Sequence, residues 1–395
     1  MSISRNIEEI LSRSSWIRRM FEEGSRLKAE YGAENVFDFS LGNPNLEPPG
    51  EFSRVLKETA ASSQPGNHAY MPNTGYLETR GAIADFLTDE QGLFITSEDI
   101  VMTCGAAGAL NVVLKTILNP QEEVITPAPY FVEYAFYVAN HGGILKTAPT
   151  RSDFDIDIAA IEKQISGNTR AVLINSPNNP TGRIYTLKVL TDLADLLTKH
   201  SEKHQKTIYL ISDEPYRKIT FDNARVPGIL GIYPNSIIVT SYSKDLSVPG
   251  ERIGFLAANP YADHRDDLLP GFALANRILG YVNAPALMQR VISKLQGVSV
   301  DPGIYQKKRD LLCDALSDYG YSLKRPEGAF YLFPKTPIPD DVAFVKFLQE
   351  EHILTVPGSG FQGPGHFRIA FCVDDKTIMG ALPGFKRTME KFVTL

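Results

Sequence analysis

The densest group of reactive side chains follows the apolar run Ile237-Ile238-Val239-Thr240. The next residues include Ser241, Ser243, Lys244 and Arg252. A lysine amine can condense with an aldehyde to form a Schiff base, and the hydroxyl and guanidinium groups beside it could bind a phosphate. Most lysines, however, are solvated surface residues. The segment alone therefore leaves open both a catalytic lysine and an ordinary loop.

Two other polar segments also follow β-rich runs of the chain. Asp213-Glu214-Pro215-Tyr216 comes after Ile208 to Ile211, and Asn179-Pro180-Thr181-Gly182 comes after Ala171 to Ile174. Taken singly, such an aspartate is typical of a cap or turn, and an Asn-Pro pair is typical of a turn. What favours chemistry is the occurrence of all three segments in one chain.

Together the segments resemble the pyridoxal-phosphate-dependent aminotransferases of fold type I, class I and II, the aspartate aminotransferase family. The resemblance covers nearly the whole chain, and its motifs follow the family's order. They are the Tyr70 to Arg80 block, Gly105-Ala106-Ala107, Pro129-Tyr130-Phe131, Asn179-Pro180-Thr181-Gly182, Asp213-Glu214-Pro215-Tyr216, Ser241-x-Ser243-Lys244 with Arg252, Gly328-Ala329-Phe330-Tyr331, and Arg368. Each motif is weak by itself, since short motifs recur by chance.

The resemblance implies roles around the ring of pyridoxal 5'-phosphate. Asp213 matches the carboxylate that keeps the ring nitrogen protonated, so that the ring can withdraw electrons from the α-carbon of an amino acid. Asn179 and Tyr216 match the two hydrogen-bond donors to the ring's phenolate oxygen. Phe131 matches the aromatic side chain that stacks on the ring face.

The cofactor's phosphate is assigned by the resemblance to the start of a predicted helix and to nearby polar side chains, where backbone N–H groups and the helix dipole favour an anion. These residues are Gly105, Ala106, Ala107, Ser241, Ser243 and Arg252. Tyr70 matches a residue that reaches the phosphate in the partner subunit. The resemblance therefore implies a homodimer with shared active sites.

The remaining roles concern the substrate. Lys244 matches the lysine that holds the cofactor as a Schiff base and then moves a proton between the substrate's α-carbon and the cofactor's imine carbon. Arg368 matches the arginine that binds the α-carboxylate in two parallel hydrogen bonds. Gly42 matches a glycine whose backbone approaches that carboxylate, beside Asn179. No arginine for a second carboxylate is evident, so the choice of amino donor and acceptor stays open.

The predicted function is a ping-pong aminotransferase that moves an amino group from an L-amino acid to a 2-oxo acid through Lys244. A β-lyase or decarboxylase on the same fold is the first alternative, because the same residues serve whichever bond at the α-carbon is broken. A cofactor-binding regulator without catalysis is the second. It is disfavoured because only about 40 residues precede Gly42, which leaves little room for a helix-turn-helix domain.

The elements that would position these residues alternate along the chain. Helical patterns at Leu77 to Gln91, Ala107 to Leu118 and Leu187 to His204 separate short apolar runs at 100–103, 123–126, 171–174, 208–211 and 237–240. Unbroken apolar strands between helices predict a mostly parallel sheet buried on both faces. The fold class is therefore α/β, a fold type I architecture with a large domain and a smaller α+β domain.

Three segments are expected from this pattern and the resemblance. Residues 1–48 begin with a helix from about Ser14 to Tyr31 and a strand at 37–41, and they join the small domain. Residues 49–290 form the large cofactor-binding domain. Residues 291–395 complete the small domain, with extended pieces at Gly328 to Phe333 and Arg368 to Phe371. The cleft between the domains is the expected ligand site.

Composition limits the remaining possibilities. The 395 residues are 43% hydrophobic and 22% charged, and the net charge is −6, so neither disorder nor binding to nucleic acid or an anionic membrane is indicated. Three scattered cysteines and the lack of a signal-like apolar segment favour a cytoplasmic protein. His200 and His204 lie four residues apart but lack a third ligand, so a solvated helix end is expected there and no metal site.

Overall fold

The computed structural model describes residues 3–4, 7–8, 16–62 and 65–393. Ser14, where the first predicted helix begins, lies outside these residues. Seven strands form the main sheet in the order β2-β8-β7-β6-β5-β3-β4, and all neighbours are parallel except those of β8, which runs antiparallel to β2 and β7. The strands are β2 (Ile100–Thr103), β3 (Glu123–Ala128), β4 (Ile144–Pro149), β5 (Thr169–Asn175), β6 (Tyr209–Asp213), β7 (Ser236–Ser241) and β8 (Gly254–Ala258).

Both faces of this sheet are covered. Along β5, Ala171 and Leu173 pack into one hydrophobic core, whereas Val172 and Ile174 pack into another on the opposite face. Successive residues of a strand point to opposite faces, so a strand buried on both sides needs apolar residues at every position. The covering helices are α3 (Leu77–Gln91), α4 (Gly105–Ile117), α5 (Glu133–Asn140), α6 (Ile158–Gln164), α7 (Leu187–His204), α8 (Arg265–Ile278) and α9 (Ala286–Ile292), and α2 (Gly50–Ala61) packs on α9.

The remaining elements surround a separate hydrophobic core. A three-stranded antiparallel sheet has the order β11-β12-β9, and β1 pairs with β10 in parallel, so that Phe37 lies beside Ile353. The N-terminal strand is thus paired with a C-terminal one. The elements are α1 (Trp16–Tyr31), β1 (Phe37–Asp38), α10 (Pro302–Asp318), β9 (Tyr331–Leu332), α11 (Asp341–Glu350), β10 (Ile353–Leu354), β11 (Val356–Pro357), β12 (Phe367–Ala370) and α12 (Asp375–Val393).

The polar segments found in the sequence meet at one edge of the main sheet. β5 ends at Asn175, β6 at Asp213 and β7 at Ser241, because parallel strands end at the same edge. The antiparallel strand β8 begins at that edge, where Gly254 pairs with Ser241 and with Thr103 of β2. The edge is the usual ligand-binding side of an open α/β sheet.

The elements differ from the sequence predictions in a few places. The expected fold class is confirmed, and so are the five strands predicted for the main sheet, but β4, β8, β10, β11, α2, α5, α6 and α8 had not been predicted. β4 is an edge strand with a mixed exposure pattern, and α8 contains Pro270, so neither shows a clear periodicity of apolar residues in the sequence. The extended pieces at 37–41 and 328–333 shorten to β1 and β9. No helix in the described part of the chain has a long enough apolar stretch to cross a bilayer.

Candidate active site

A cleft of about 400 Å³ lies at this edge of the main sheet, and residues of the smaller unit close its other side. Leu41, Gly42, Tyr331 and Arg368 come from that side. The main sheet and its helices supply Ala106, Ala107, Leu110, Phe131, Glu133, Tyr137, Asn175, Asn179, Asp213, Pro215, Tyr216, Ser241, Ser243, Lys244, Pro249 and Arg252. The cleft therefore collects residues from across the whole sequence.

Lys244 lies in the loop that follows β7, and its amine points toward the smaller unit. Its Nζ donates a hydrogen bond to the backbone oxygen of Gly42 at 2.9 Å and lies 5.7 Å from the ring centroid of Phe330. Burial lowers the pKa of Lys244 to about 8, with smaller effects from Cys372, Arg252 and Arg368. The amine of Lys244 therefore loses its proton, and becomes nucleophilic, at a pH only slightly above neutral.

Asp213 ends β6 with its carboxylate buried in the cleft. Its Oδ2 accepts a 2.6 Å hydrogen bond from the hydroxyl of Tyr134, whereas its Oδ1 is buried and has no partner among the residues that the structure describes. Burial raises the pKa of Asp213 to about 7, and the Tyr134 hydrogen bond opposes that rise. A buried carboxylate oxygen without a partner is suited to a cationic N–H donor of a ligand.

The turn from β2 into α4 faces the guanidinium of Arg252. Gly105 begins α4 with a φ of 73°, and a Cβ built there would lie 3.0 Å from Nη2 of Arg252. A Cβ at Gly254 would overlap the backbone oxygen of Thr240. Ser241 and Ser243 line the same cleft as Arg252. Backbone N–H groups, hydroxyls and a guanidinium together make a site for a phosphate.

Arg368 is held in β12 by neutral groups. Its guanidinium lies between the rings of Tyr331 and Phe361, at 4.7 and 4.6 Å from their centroids, and donates hydrogen bonds to Asn179 Oδ1 at 3.1 Å and Ser40 O at 2.6 Å. Its Nε is buried and finds no partner in the described part of the chain. Burial lowers the pKa of Arg368, although the nearby phenols oppose that effect. The guanidinium is therefore oriented but keeps its positive charge uncompensated.

Tyr216 and Tyr331 join the two sides of the cleft. Their hydroxyls share a 2.8 Å hydrogen bond, and burial together with this contact raises the pKa of Tyr216 well above its usual value. A side chain at position 42 would overlap the Tyr331 hydroxyl, so only glycine fits there. This close approach explains how the backbone oxygen of Gly42 reaches Lys244.

Comparison with known proteins identifies the family. The model of "Aminotransferase class I and II" matches residues 34–383. The chain belongs to the class I and II aminotransferases. It is 28% identical to aromatic-amino-acid aminotransferase 2 of Thermococcus litoralis, with 99% of each chain covered, and 31% identical to a probable aspartate/prephenate aminotransferase of Thermus aquaticus, with 89% and 91% covered. Among solved structures, an aminotransferase of Eubacterium rectale matches with a TM-score of 0.96 and 39% identity, with 99% of each chain covered. Aspartate aminotransferase of Thermus thermophilus with maleate matches with a TM-score of 0.87 and 26% identity, with 98% and 100% covered.

The protein is therefore an aminotransferase enzyme of fold type I, as its motifs indicated. The comparisons favour neither the lyase or decarboxylase alternative nor the regulator. The family uses pyridoxal 5'-phosphate, and three features of this aminotransferase fit that group. They are the unpartnered oxygen of Asp213, the side-chain-free turn at Gly105 opposite Arg252, and the buried amine of Lys244.

Nearly all residues predicted for the site of this aminotransferase lie together in the cleft. Those that line it are Gly42, Ala106, Ala107, Phe131, Asn179, Asp213, Tyr216, Ser241, Ser243, Lys244, Arg252 and Arg368, and Gly105 adjoins it beside Arg252. Tyr70 does not line the cleft of its own chain, and 92% of it is exposed. Its expected role lies in a partner subunit.

Sequence analysis missed several residues of the site, namely Tyr134, Tyr331 as a partner of Tyr216, Asn175 and Glu133. Asn175 donates through Nδ2 to the backbone oxygen of Asp213 at 2.8 Å and accepts from the backbone N–H of Asn179 at 2.6 Å. It could have been found as the polar residue that ends an apolar strand.

Among the described residues, no group of three or more His, Cys, Asp and Glu could hold a metal ion. The expectation of a solvated helix end at His200 and His204 was wrong for His200. That side chain is buried, and its Nε2 lies 3.3 Å from Oε1 of Glu162. The hydrogen bond to Glu162 of α6 gives one nitrogen of the buried imidazole a partner, whereas its Nδ1 has none among the described residues.

Proposed function

We propose that the cleft binds pyridoxal 5'-phosphate with its ring nitrogen at Asp213, its phosphate at the start of α4, and its aldehyde carbon at Lys244. The observation that carries this proposal is the buried Oδ1 of Asp213, which has no partner while Oδ2 is bonded to Tyr134. The bound group would supply a protonated ring that withdraws electrons from the amino acid's α-carbon. Ala106, Ala107, Ser241, Ser243 and Arg252 would hold its phosphate with Gly105.

The roles of the other residues follow from their positions. Phe131 would lie on the ring face, and Asn179 and Tyr216 would donate to the ring's phenolate oxygen. Arg368 supports the binding of an α-carboxylate, since its buried Nε has no partner and its two other nitrogens are anchored by neutral oxygens. Gly42 and Asn179 would border that carboxylate.

Lys244 would act twice. Its amine would hold the cofactor covalently and, once displaced by the substrate's amine, would take the proton from the α-carbon and deliver it to the cofactor carbon that the lysine had held. The lowered pKa supports both steps, since the amine must be uncharged to attack or to accept a proton. The reaction would alternate between an L-amino acid donor and a 2-oxo acid acceptor.

We also infer a homodimer that works in the cytoplasm. Tyr70, Leu77, Leu274 and Ile278 are exposed large side chains, and a second copy could cover them. In such a dimer Tyr70 would reach the partner's phosphate. The pairing of β1 with β10 supports a division into residues 1–48 and 291–395 as the small domain and 49–290 as the large one.

The test is the visible absorption spectrum of the protein loaded with pyridoxal 5'-phosphate, recorded before and after amino acids are added without any oxo acid. We expect the band of the lysine-bound cofactor to fall with some amino acids and to return when a 2-oxo acid is added. The Lys244→Ala variant is the control and should show neither the band nor the cycle.

Two outcomes would contradict this proposal. Absence of the visible band after loading would mean that Lys244 does not bind the cofactor. Release of pyruvate or carbon dioxide from the amino acid alone, with no need for an acceptor, would indicate a lyase or decarboxylase instead.

A further inference from the structure

One acidic side chain in the cleft has no task in the proposed function. Glu133 lies in the first turn of α5, two residues after Phe131, and lines the same cavity as Lys244 and Arg368. It is half-buried, and within the described part of the chain no hydrogen bond or ion pair engages its carboxylate. Burial alone raises its pKa, with no contribution from a cation. A carboxylate that faces a ligand cleft without a partner can be compensated by the ligand.

The charges of the cleft leave few partners for a substrate side chain. The cations that line it are Lys244, Arg252 and Arg368, and the acids are Glu133 and Asp213. The proposed function uses each of the three cations, for the aldehyde, the phosphate and the α-carboxylate, and it uses Asp213 for the ring nitrogen. Among the described residues of this chain no lining cation is left for a second carboxylate, and the charge left unused is negative.

We propose that this aminotransferase selects amino donors with a basic side chain, whose cation is bound by Glu133, and disfavours dicarboxylic substrates. This inference rests on the proposed function, because it assigns the three cations and Asp213 to the cofactor and the α-carboxylate in the same way. A second substrate carboxylate would meet Glu133 in a partly desolvated cleft, where like charges repel more strongly than in water. The same argument applies to the acceptor, so pyruvate should be preferred over 2-oxoglutarate and oxaloacetate.

A structural explanation of Glu133 competes with this one. An acidic residue in the first turn of a helix is stabilised by the helix dipole whatever the substrate is. That explanation predicts that neutralising Glu133 alters the stability of the protein but does not change the preference among substrates. The two explanations are therefore separated by a comparison of substrates that differ only in the side-chain charge.

The experiment compares the loaded wild-type enzyme with Glu133→Gln. Lysine and norleucine serve as donors that differ in the terminal ammonium group, and glutamate serves as the dicarboxylic donor. We expect wild type to prefer lysine over glutamate, and Glu133→Gln to lower kcat/KM for lysine by about ten- to a hundredfold, in line with the loss of a partly buried charge pair, while norleucine changes by less than about threefold. Glu202→Gln, on the exposed side of α7, is the matched control and should change neither.

Binding of non-reacting analogues makes the result independent of turnover. α-Methyl-lysine and α-methyl-norleucine lack the hydrogen that the reaction removes, so calorimetric titration of the loaded enzyme measures their affinity alone. Weaker binding of α-methyl-lysine by Glu133→Gln supports the inference even if no donor is turned over, which would count against the proposed function only. Three results would overturn the inference about Glu133. They are equal effects of Glu133→Gln on the lysine and norleucine analogues, no effect on either analogue, and a wild-type preference for glutamate.

Discussion

The hydrogen bond from Tyr134 to Asp213 can be tested in the protein stripped of its cofactor. The substitution Tyr134→Phe removes the hydroxyl that donates to Oδ2 at 2.6 Å and keeps the ring, which packs edge-on against Phe131. Both Tyr134 and Asp213 are buried, so water cannot readily replace the lost bond. The stability lost in Tyr134→Phe should therefore depend on whether Asp213 is charged.

The magnitude follows from the ionisation of Asp213. Its pKa of about 7 in the folded protein exceeds the ordinary value of 3.8, so this group's contribution to stability is present below pH 3.8 and is lost as the pH rises through 7. A hydrogen bond to a charged group contributes about 1.5–3 kcal/mol, and one between neutral groups contributes about 0.5–1.5 kcal/mol. At pH 6 the substitution removes a neutral bond, and at pH 9 it removes a bond to the anion. The loss of stability in Tyr134→Phe should thus grow by about 1–2 kcal/mol between these pH values.

The assay is denaturant unfolding of both proteins across this pH range, because all other titrating groups cancel in the difference between them. Tyr233→Phe provides the matched control, since Tyr233 is equally buried but donates to the neutral backbone oxygen of Ile208 at 2.8 Å. The stability lost in Tyr233→Phe should not vary with pH. If the stability lost in Tyr134→Phe were equally constant, Asp213 would not ionise between pH 6 and pH 9 in the folded protein.

Three other substitutions test the cleft. Lys244→Ala should abolish amino transfer and leave the far-ultraviolet circular dichroism unchanged, and sustained turnover would remove Lys244 from its role. Arg368→Ala should raise KM for the amino donor by about a hundredfold or more through loss of a bidentate charged contact, and an unchanged KM would exclude it from carboxylate binding. Gly42→Ala should lower the melting temperature and the rate together, because its methyl group would overlap the Tyr331 hydroxyl; wild-type values for both would show that the chain relaxes freely there.

Five of the seven strands of the main sheet could be predicted from the sequence because burial on both faces imposes continuous apolar runs. β5 and β6 show this clearly, with Ala171 to Asn175 and Tyr209 to Asp213 all buried. β8 is just as apolar, but it directly follows the segment with Lys244 and Arg252, and nothing local indicates that it runs antiparallel. Strand direction depends on the connection and the partners, which a short apolar run does not encode.

The site, too, contains residues that the sequence could identify and contacts that it could not. Residues at strand ends could be recognised because their motifs are contiguous, as with Asp213 and Lys244. The contacts that orient them join distant parts of the chain: Tyr134 lies 79 residues from Asp213, and Asn179 lies 189 residues from Arg368. Tyr134 was still within reach of sequence reasoning, since a helix that begins after Phe131 places it one turn further on. The pairing of Tyr216 with Tyr331 could not be inferred from the sequence, because it depends on how the two sheets meet.

The partners of Asp213 and Arg368 explain why these charges belong to a ligand site and not to a structural ion pair. Elsewhere in the protein a buried guanidinium is neutralised: Arg217 lies 2.8 Å from Glu90 and 2.9 Å from Glu214. Asp213 and Arg368 are bonded only to neutral groups, and each keeps one buried polar atom without a partner. Buried charges left in this state destabilise a fold, and a ligand that compensates them is bound by the folded form alone. A cationic N–H at Asp213 and a carboxylate at Arg368 would each recover part of that stability. The two atoms belong to groups of opposite charge, one an acceptor and one a donor, and this arrangement fits the proposed binding of a cofactor at Asp213 and of a substrate carboxylate at Arg368.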